Sequence, residues 1–216
     1  MREIKKGTEP ASLTRHRQTP HCDYDNYPDK ESLRRTLVVE QRGLCCYCMA
    51  RISAGNDSMK VEHWQSQERY PTEQLSYGNL LGACRGGEGQ PLRLQHCDTR
   101  KAARDIRWNP AELAHHIETR VRYELDGTIM SDDAAFDVQL HEVLNLNLPL
   151  MKNSRKSVYD GILEWVRHEK GRNHGPIPRE RLLRERARYI TGSSVLQPYS
   201  QVAVWLLNQR IQRMRA

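Results

Sequence analysis

No apolar run in the 216 residues is long enough to span a bilayer. The charged opening, Met1 to Lys6, is not followed by the apolar stretch of a secretory leader. Internal repeats and low-complexity tracts are also missing, which speaks against solenoid and compositionally disordered architectures. Hydrophobic residues make up 38% and charged residues 28%, a balance that fits a globular chain of one domain or two small ones, expected in the cytoplasm with no membrane partner. In that reducing compartment the six cysteines are not expected to form disulfides; close pairs there more often bind metal or serve redox chemistry. Five of the six fall between Cys45 and Cys97.

The net charge of +7 is unevenly spread. Residues 151–216 carry 14 Lys or Arg against 5 Asp or Glu, whereas the first 150 carry 20 against 22. A basic segment attracts polyanions by counterion release, although a solvated helical surface has the same composition. Within it Arg181, Arg184 and Arg188 fall on one helical face, opposed by Leu183, Ala187 and Ile190, and are candidate nucleic-acid contacts. Val202, Val204, Trp205 and Leu206 read as core of a helical region or as a docking face.

Periodicity predicts a mainly helical α+β chain. Residues 1–28, with Gly7, Pro10, Pro20 and Pro28, read as an irregular arm. Asp29 reads as an N-cap, with a helix over 30–42 stopped at Gly43. The alternation Ile117, Thr119, Val121, Tyr123, Leu125 predicts a strand, and Asp126-Gly127 a hairpin turn into Thr128-Ile129. Four helices are expected after that. The first runs from an Asp132 or Asp133 cap to about Leu144 and the second over 148–169. The last two lie near 178–190 and 198–213, after a Gly/Pro break at 171–178.

The chemistry lies in the irregular stretch from Cys45 to Lys101, which has too little periodicity to bury a core and suits a metal-stapled fold. Cys45 and Cys48 form a C-x2-C pair, the spacing of a zinc knuckle, and Cys84 and Cys97 are the expected second pair. Twelve residues separate that second pair, including Arg85-Gly86-Gly87-Glu88-Gly89, a run able to loop out while its ends meet. His96 is an alternative to Cys97 as fourth ligand. Four thiolates leave zinc no open position, so the metal would be structural. Cys46 and Cys22 read as spectators.

Between the pairs, Glu62-His63 offers one group to a metal and one to a water, the two needs of phosphodiester hydrolysis. Asn79, in Tyr77-Gly78-Asn79-Leu80-Leu81, is placed to bind backbone groups of the preceding loop and so hold the base, or to cap a helix. Asp98 is a second candidate ligand for a catalytic cation, and Lys101, one turn on, a candidate phosphate contact.

The order C-x2-C, acid-His, Asn-Leu, Cys…Cys, polar ligand, Lys resembles the cysteine-bearing HNH endonucleases. With Met1-Arg2-Glu3-Ile4-Lys5-Lys6-Gly7, Glu9-Pro10, Cys45-Cys46-Tyr47-Cys48 and Glu62-His63-Trp64, it is similar more narrowly to the PtuB-like nucleases of Septu and retron-associated anti-phage systems. The resemblance implies a zinc-stapled ββα-metal finger over 29–110, followed by a β-hairpin and helical region over 111–216. It also implies His63 as general base, Glu62 as metal-binding acid, Asn79 as the central asparagine and Cys45, Cys48, Cys84 and Cys97 as the zinc shell. Asp98 stands where many relatives carry Asn or His. A Glu62–Asp98 pair would offer the cation two formal negative charges, suiting Mg²⁺ or Mn²⁺. The partners implied are DNA, a PtuA-like ATPase, and a retron reverse transcriptase with its msDNA. Structured RNA such as a tRNA is the alternative substrate, and a non-catalytic zinc-stabilised nucleic-acid-binding module the alternative function.

Overall fold

The computed structural model describes residues 1–191 and 194–214. Its helices are α1 (Ala11–His16), α2 (Lys30–Glu40), α3 (Cys97–Lys101), α4 (Ala134–Val138), α5 (Pro149–Asn173), α6 (Arg179–Ile190) and α7 (Ser200–Arg213). Four short strands, β1 (Met59–His63), β2 (Leu80–Cys84), β3 (Arg122–Tyr123) and β4 (Ile129–Met130), pair antiparallel as β1-β2 and β3-β4. The protein is thus mixed α and β, mostly helical. Among the described residues no helix is long and apolar enough to cross a membrane.

α2 begins where Asp29 accepts a hydrogen bond from Ser32 N at 3.2 Å, a cap worth about 1 kcal/mol, and it buries Leu33 and Leu37. Their partners are Leu13, Tyr27, Leu75, Tyr77 and Leu80, so α2 packs against the start of β2 and the opening segment. The opening is therefore not a loose arm: Met1, Ile4, Leu13 and Tyr27 are buried. Six residues of α1, entered from Pro10, are too short for a helical period to show in the sequence.

The expected strand over 117–125 is reduced to Arg122–Tyr123. Ile117–Thr119 instead forms a 3-10 turn after His116, which has left-handed backbone (φ 47°). Ile117, Val121 and Tyr123 are buried while Leu125 is 64% exposed. The alternation held for Ile117, Val121 and Tyr123 but not for the exposed Thr119 and Leu125, and it did not report which backbones are paired. Asp126-Gly127 does make the turn between β3 and β4, with Gly127 at φ +83°.

Asp133 caps α4, which continues as one π-helical stretch, Gln139–Val143. α5 runs through Gly171 to Asn173, so the predicted break is shorter than the Gly/Pro composition suggested. α5, α6 and α7 share a cluster of Ile162, Val166, Leu182, Ala203, Leu206, Leu207 and Ile211. Val202, Val204 and Leu206 are buried, which makes this part of α7 core. Arg155 of α5 is buried as well, bonding the carbonyls of Gly127 at 2.5 Å and Leu146 at 2.8 Å. One large cluster draws on Met1, Cys45, Leu81, Cys97, Tyr123, Phe136 and Val202, so residues from both ends of the chain pack around the cysteines.

Candidate functional site

The four cysteines come together from three places. Cys45 and Cys48 bracket a turn closed by Met49 N donating to Cys45 O (3.1 Å) and Cys45 N donating to Ala50 O (2.9 Å). Ala50 N also points at Cys48 Sγ, at 3.4 Å, as amides do around a metal-bound thiolate. Cys84 ends β2 and Cys97 opens α3. The twelve-residue excursion between them folds back on itself: His96 N donates to Gly86 O at 2.8 Å and Thr99 Oγ1 to Arg85 O at 2.8 Å. Asn145 Nδ2 ties down the carbonyls of Arg93 and Gln95. Long spacing in sequence is therefore no obstacle to closure.

The four Sγ atoms all lie within 4.8 Å of one another, with Cys45–Cys97 at 3.9 Å and Cys48–Cys84 at 3.7 Å. Thiolates at about 2.3 Å from a tetrahedral ion sit about 3.8 Å apart, so the donor set fits zinc. Burial opposes ionisation of Cys45, but hydrogen bonds from Cys46, Cys48, Cys84 and Cys97 together outweigh it and hold its thiol well below the usual range. His96 stands beside the set, its Nδ1 3.3 Å from Cys97 Sγ, rather than in it. Cys46 is buried next to the four, and Cys22 donates to Arg17 O at 3.6 Å, away from them.

β1 carries Glu62 and His63 side by side. Glu62 is 1% exposed; its Oε1 accepts from Tyr47 Oη at 2.6 Å and faces Lys101 Nζ at 2.9 Å. Its Oε2 is buried without a hydrogen-bond partner, and the Asp98 carboxylate is close enough to act on it as a pair. Burial first, and Asp98 second, push the Glu62 carboxyl well above its ordinary value. Two carboxylates held together favour a proton on one of them, which is the direction in which Glu62 is pushed. Lysines temper the charge: Lys101 faces Glu62, and Lys60 Nζ lies 3.4 Å from Asp98 Oδ2. Among the described residues only the cysteines gather as three or more potential metal ligands around one point; Glu62 and Asp98 remain two.

His63 Nε2 lies 3.0 Å from Gln74 O. A carbonyl only accepts, so Nε2 carries the proton and Nδ1 the lone pair. Nδ1 has no hydrogen-bond partner among the described residues. Burial lowers the imidazole pKa to about 4, so the ring is neutral near pH 7. Asn79 fixes the loop that supplies that carbonyl. Its Oδ1 accepts from Gln65 N at 2.7 Å, and its Nδ2 donates to Gln65 O at 2.9 Å and Glu73 O at 3.0 Å. Tyr24 packs edge-on against the imidazole, ring centroids 4.5 Å apart.

Lys101 overturns one expectation. Its ammonium is fully buried, bonded to Glu62 and to His63 O at 2.9 Å, and cannot meet a phosphate from solvent. The basic stripe on α6 is partly engaged too: Arg181 pairs with the buried Glu169, Arg188 with Glu185 at 3.0 Å, and Arg184 is exposed. Tyr47, Gln74, Lys60 and Tyr24 were not legible as site residues, because each acts through a contact distant in sequence or through its backbone.

The chain matches no protein-family model, and no curated protein matches it.

Proposed function

We propose that this chain is a metal-dependent endonuclease of the HNH type, hydrolysing phosphodiester bonds with DNA as the favoured substrate. One observation carries the reading: a neutral, backbone-oriented histidine adjoins two paired carboxylates, one of which keeps a buried oxygen without a hydrogen-bond donor.

In this reading β1, β2 and α3 form the ββα-metal finger and the four cysteines hold a structural zinc ion. Glu62 Oε2 and Asp98 would hold a divalent cation, Mg²⁺ or Mn²⁺. When bound, that cation supplies charge stabilisation at the scissile phosphate and its leaving oxygen. His63 Nδ1 takes the proton of the attacking water while Nε2 stays on the Gln74 carbonyl, so the required tautomer is in place before substrate arrives. Asn79 holds that carbonyl still. Lys101 offsets the Glu62 charge and fixes its Oε1, leaving Oε2 as the atom available to a cation. By its resemblance to the PtuB-like nucleases, the proposal includes control by a PtuA-like ATPase.

The burial of His63, 6% exposed, favours a second reading: a zinc-stabilised module that grips nucleic acid without cutting it. The two separate in one experiment. The protein, with and without the ATPase, is incubated with plasmid DNA and with total tRNA, plus and minus Mg²⁺ or Mn²⁺. Cation-dependent strand cleavage that a His63→Gln variant lacks supports the nuclease. Cleavage indifferent to His63, or none under any of these conditions, overturns it.

A further inference from the structure

A second basic feature lies close to this site and belongs to neither metal centre. Residues 54–56 and the N-terminal half of α2 enclose an open groove of about 510 Å³, lined by Pro28, Lys30, Glu31, Arg34 and Asn56. Arg34 has no ion pair among the described residues, and its Nε is buried with no hydrogen-bond partner. A guanidinium half out of water without an acceptor is costly unless an anion completes it. The one carboxylate lining the groove, Glu31, is bound by Arg35 one helical turn on. Among the described residues Lys30 Nζ has no carboxylate partner; it donates to Asp25 O at 3.0 Å. The positive end of the α2 dipole adds to the same field.

Tyr24 connects this groove to His63. Lys30 Nζ sits 4.8 Å from the centroid of the Tyr24 ring, and the Arg34 charge acts on its phenol. The same ring meets His63, and Tyr24 N donates to Gln74 Oε1 at 3.1 Å, the residue whose carbonyl orients the imidazole. The groove, the tyrosine and the candidate base thus form a continuous track.

We infer that Arg34 and Lys30 form a phosphate subsite, which takes a backbone phosphate of the nucleic-acid strand flanking the one to be cut. The identity of the ligand rests on the nuclease reading; the anion site rests on Arg34 and the groove. Such contacts are indifferent to base sequence and set register on the strand. They also appear in the salt dependence of binding, at about one unit of slope per contact.

The test is fluorescence anisotropy of a fluorescein-labelled DNA duplex with the zinc-loaded full chain, without added magnesium, over about 50 to 200 mM salt. Arg34→Gln and Lys30→Gln should each weaken binding regardless of DNA sequence and reduce the slope of log affinity against log salt by about 1. Arg34→Lys, which keeps the charge, should retain most of the slope, and Lys156→Gln on the outer face of α5 should change neither quantity. Wild-type affinity and slope in both glutamine variants would overturn the inference, as would absence of DNA binding by the wild-type chain. The two proposals fail separately. A protein that cuts DNA while both variants bind normally loses only the subsite. One that never cuts but shows the loss of slope keeps the subsite and loses the nuclease.

Discussion

Lys101 Nζ lies 2.9 Å from Glu62 Oε1, and neither side chain meets solvent. An ammonium at the end of α3, the helix that Cys97 opens, thus compensates an acid on β1, while Asp98 brings a like charge to the same acid. Removing one member of a buried pair leaves the other uncompensated, a loss of about 3 to 5 kcal/mol. Lys101→Met should therefore lower the urea midpoint sharply. Because the two carboxylates would then face each other without the lysine, added Mg²⁺ should raise the melting temperature of the variant by more than that of the wild type. Equal cation effects on both proteins would argue against a cation at Glu62 and Asp98.

Metal analysis should find one zinc per chain. Cys48→Ser and Cys97→Ser should lose it and fold poorly, since thiolate binding and folding are one equilibrium in such sites. His96→Ala should keep it. Zinc retained by Cys97→Ser but lost by His96→Ala would move the fourth ligand to the histidine.

Gly86 gives a subtler probe of the same centre. Its φ is +58°, and a Cβ there would lie 2.1 Å from His96 O, at the backbone contact that brings Cys97 back to Cys84. Gly86→Ala should weaken zinc in a chelator competition. Gly89 also has positive φ (+81°) but open space around it, so Gly89→Ala should cost only the backbone strain, about 1 to 2 kcal/mol, and leave zinc affinity alone.

His63→Gln should abolish cleavage and spare zinc. Alanine is a poorer probe, since emptying a buried site that also holds the Gln74 carbonyl and the Tyr24 ring would cost about 1 to 3 kcal/mol in its own right. Circular dichroism melts of both variants check the distinction.

Asn79→Ala removes three hydrogen bonds to the loop carrying Gln74 without touching the base. The expected result is a fall in kcat on the order of a hundredfold with KM little changed, as a misplaced base would give. A change confined to KM would assign the asparagine to substrate binding instead.

Local chemistry was readable from residue order alone. Asp29 and Asp133 cap helices because a short carboxylate bonds the next turn's amides wherever it stands, and Asp126-Gly127 turns a hairpin for reasons held within four residues. The C-x2-C knuckle and the adjacency of Glu62 and His63 are of the same kind. What tertiary structure decided was every relation that spans distance along the chain. Lys101 went from a candidate phosphate contact to a buried counter-ion, because α3 packs it beneath β1. The opening segment, irregular by composition, delivers Tyr24 to His63 and Met1 to the core. The pairing of Asp98 with Glu62, thirty-six positions apart, depends on α3 being held against β2, where the four cysteines gather. Charges and hydrogen-bonding groups are written in the sequence, but a low-dielectric interior fixes which of them meet, and only the fold creates that interior.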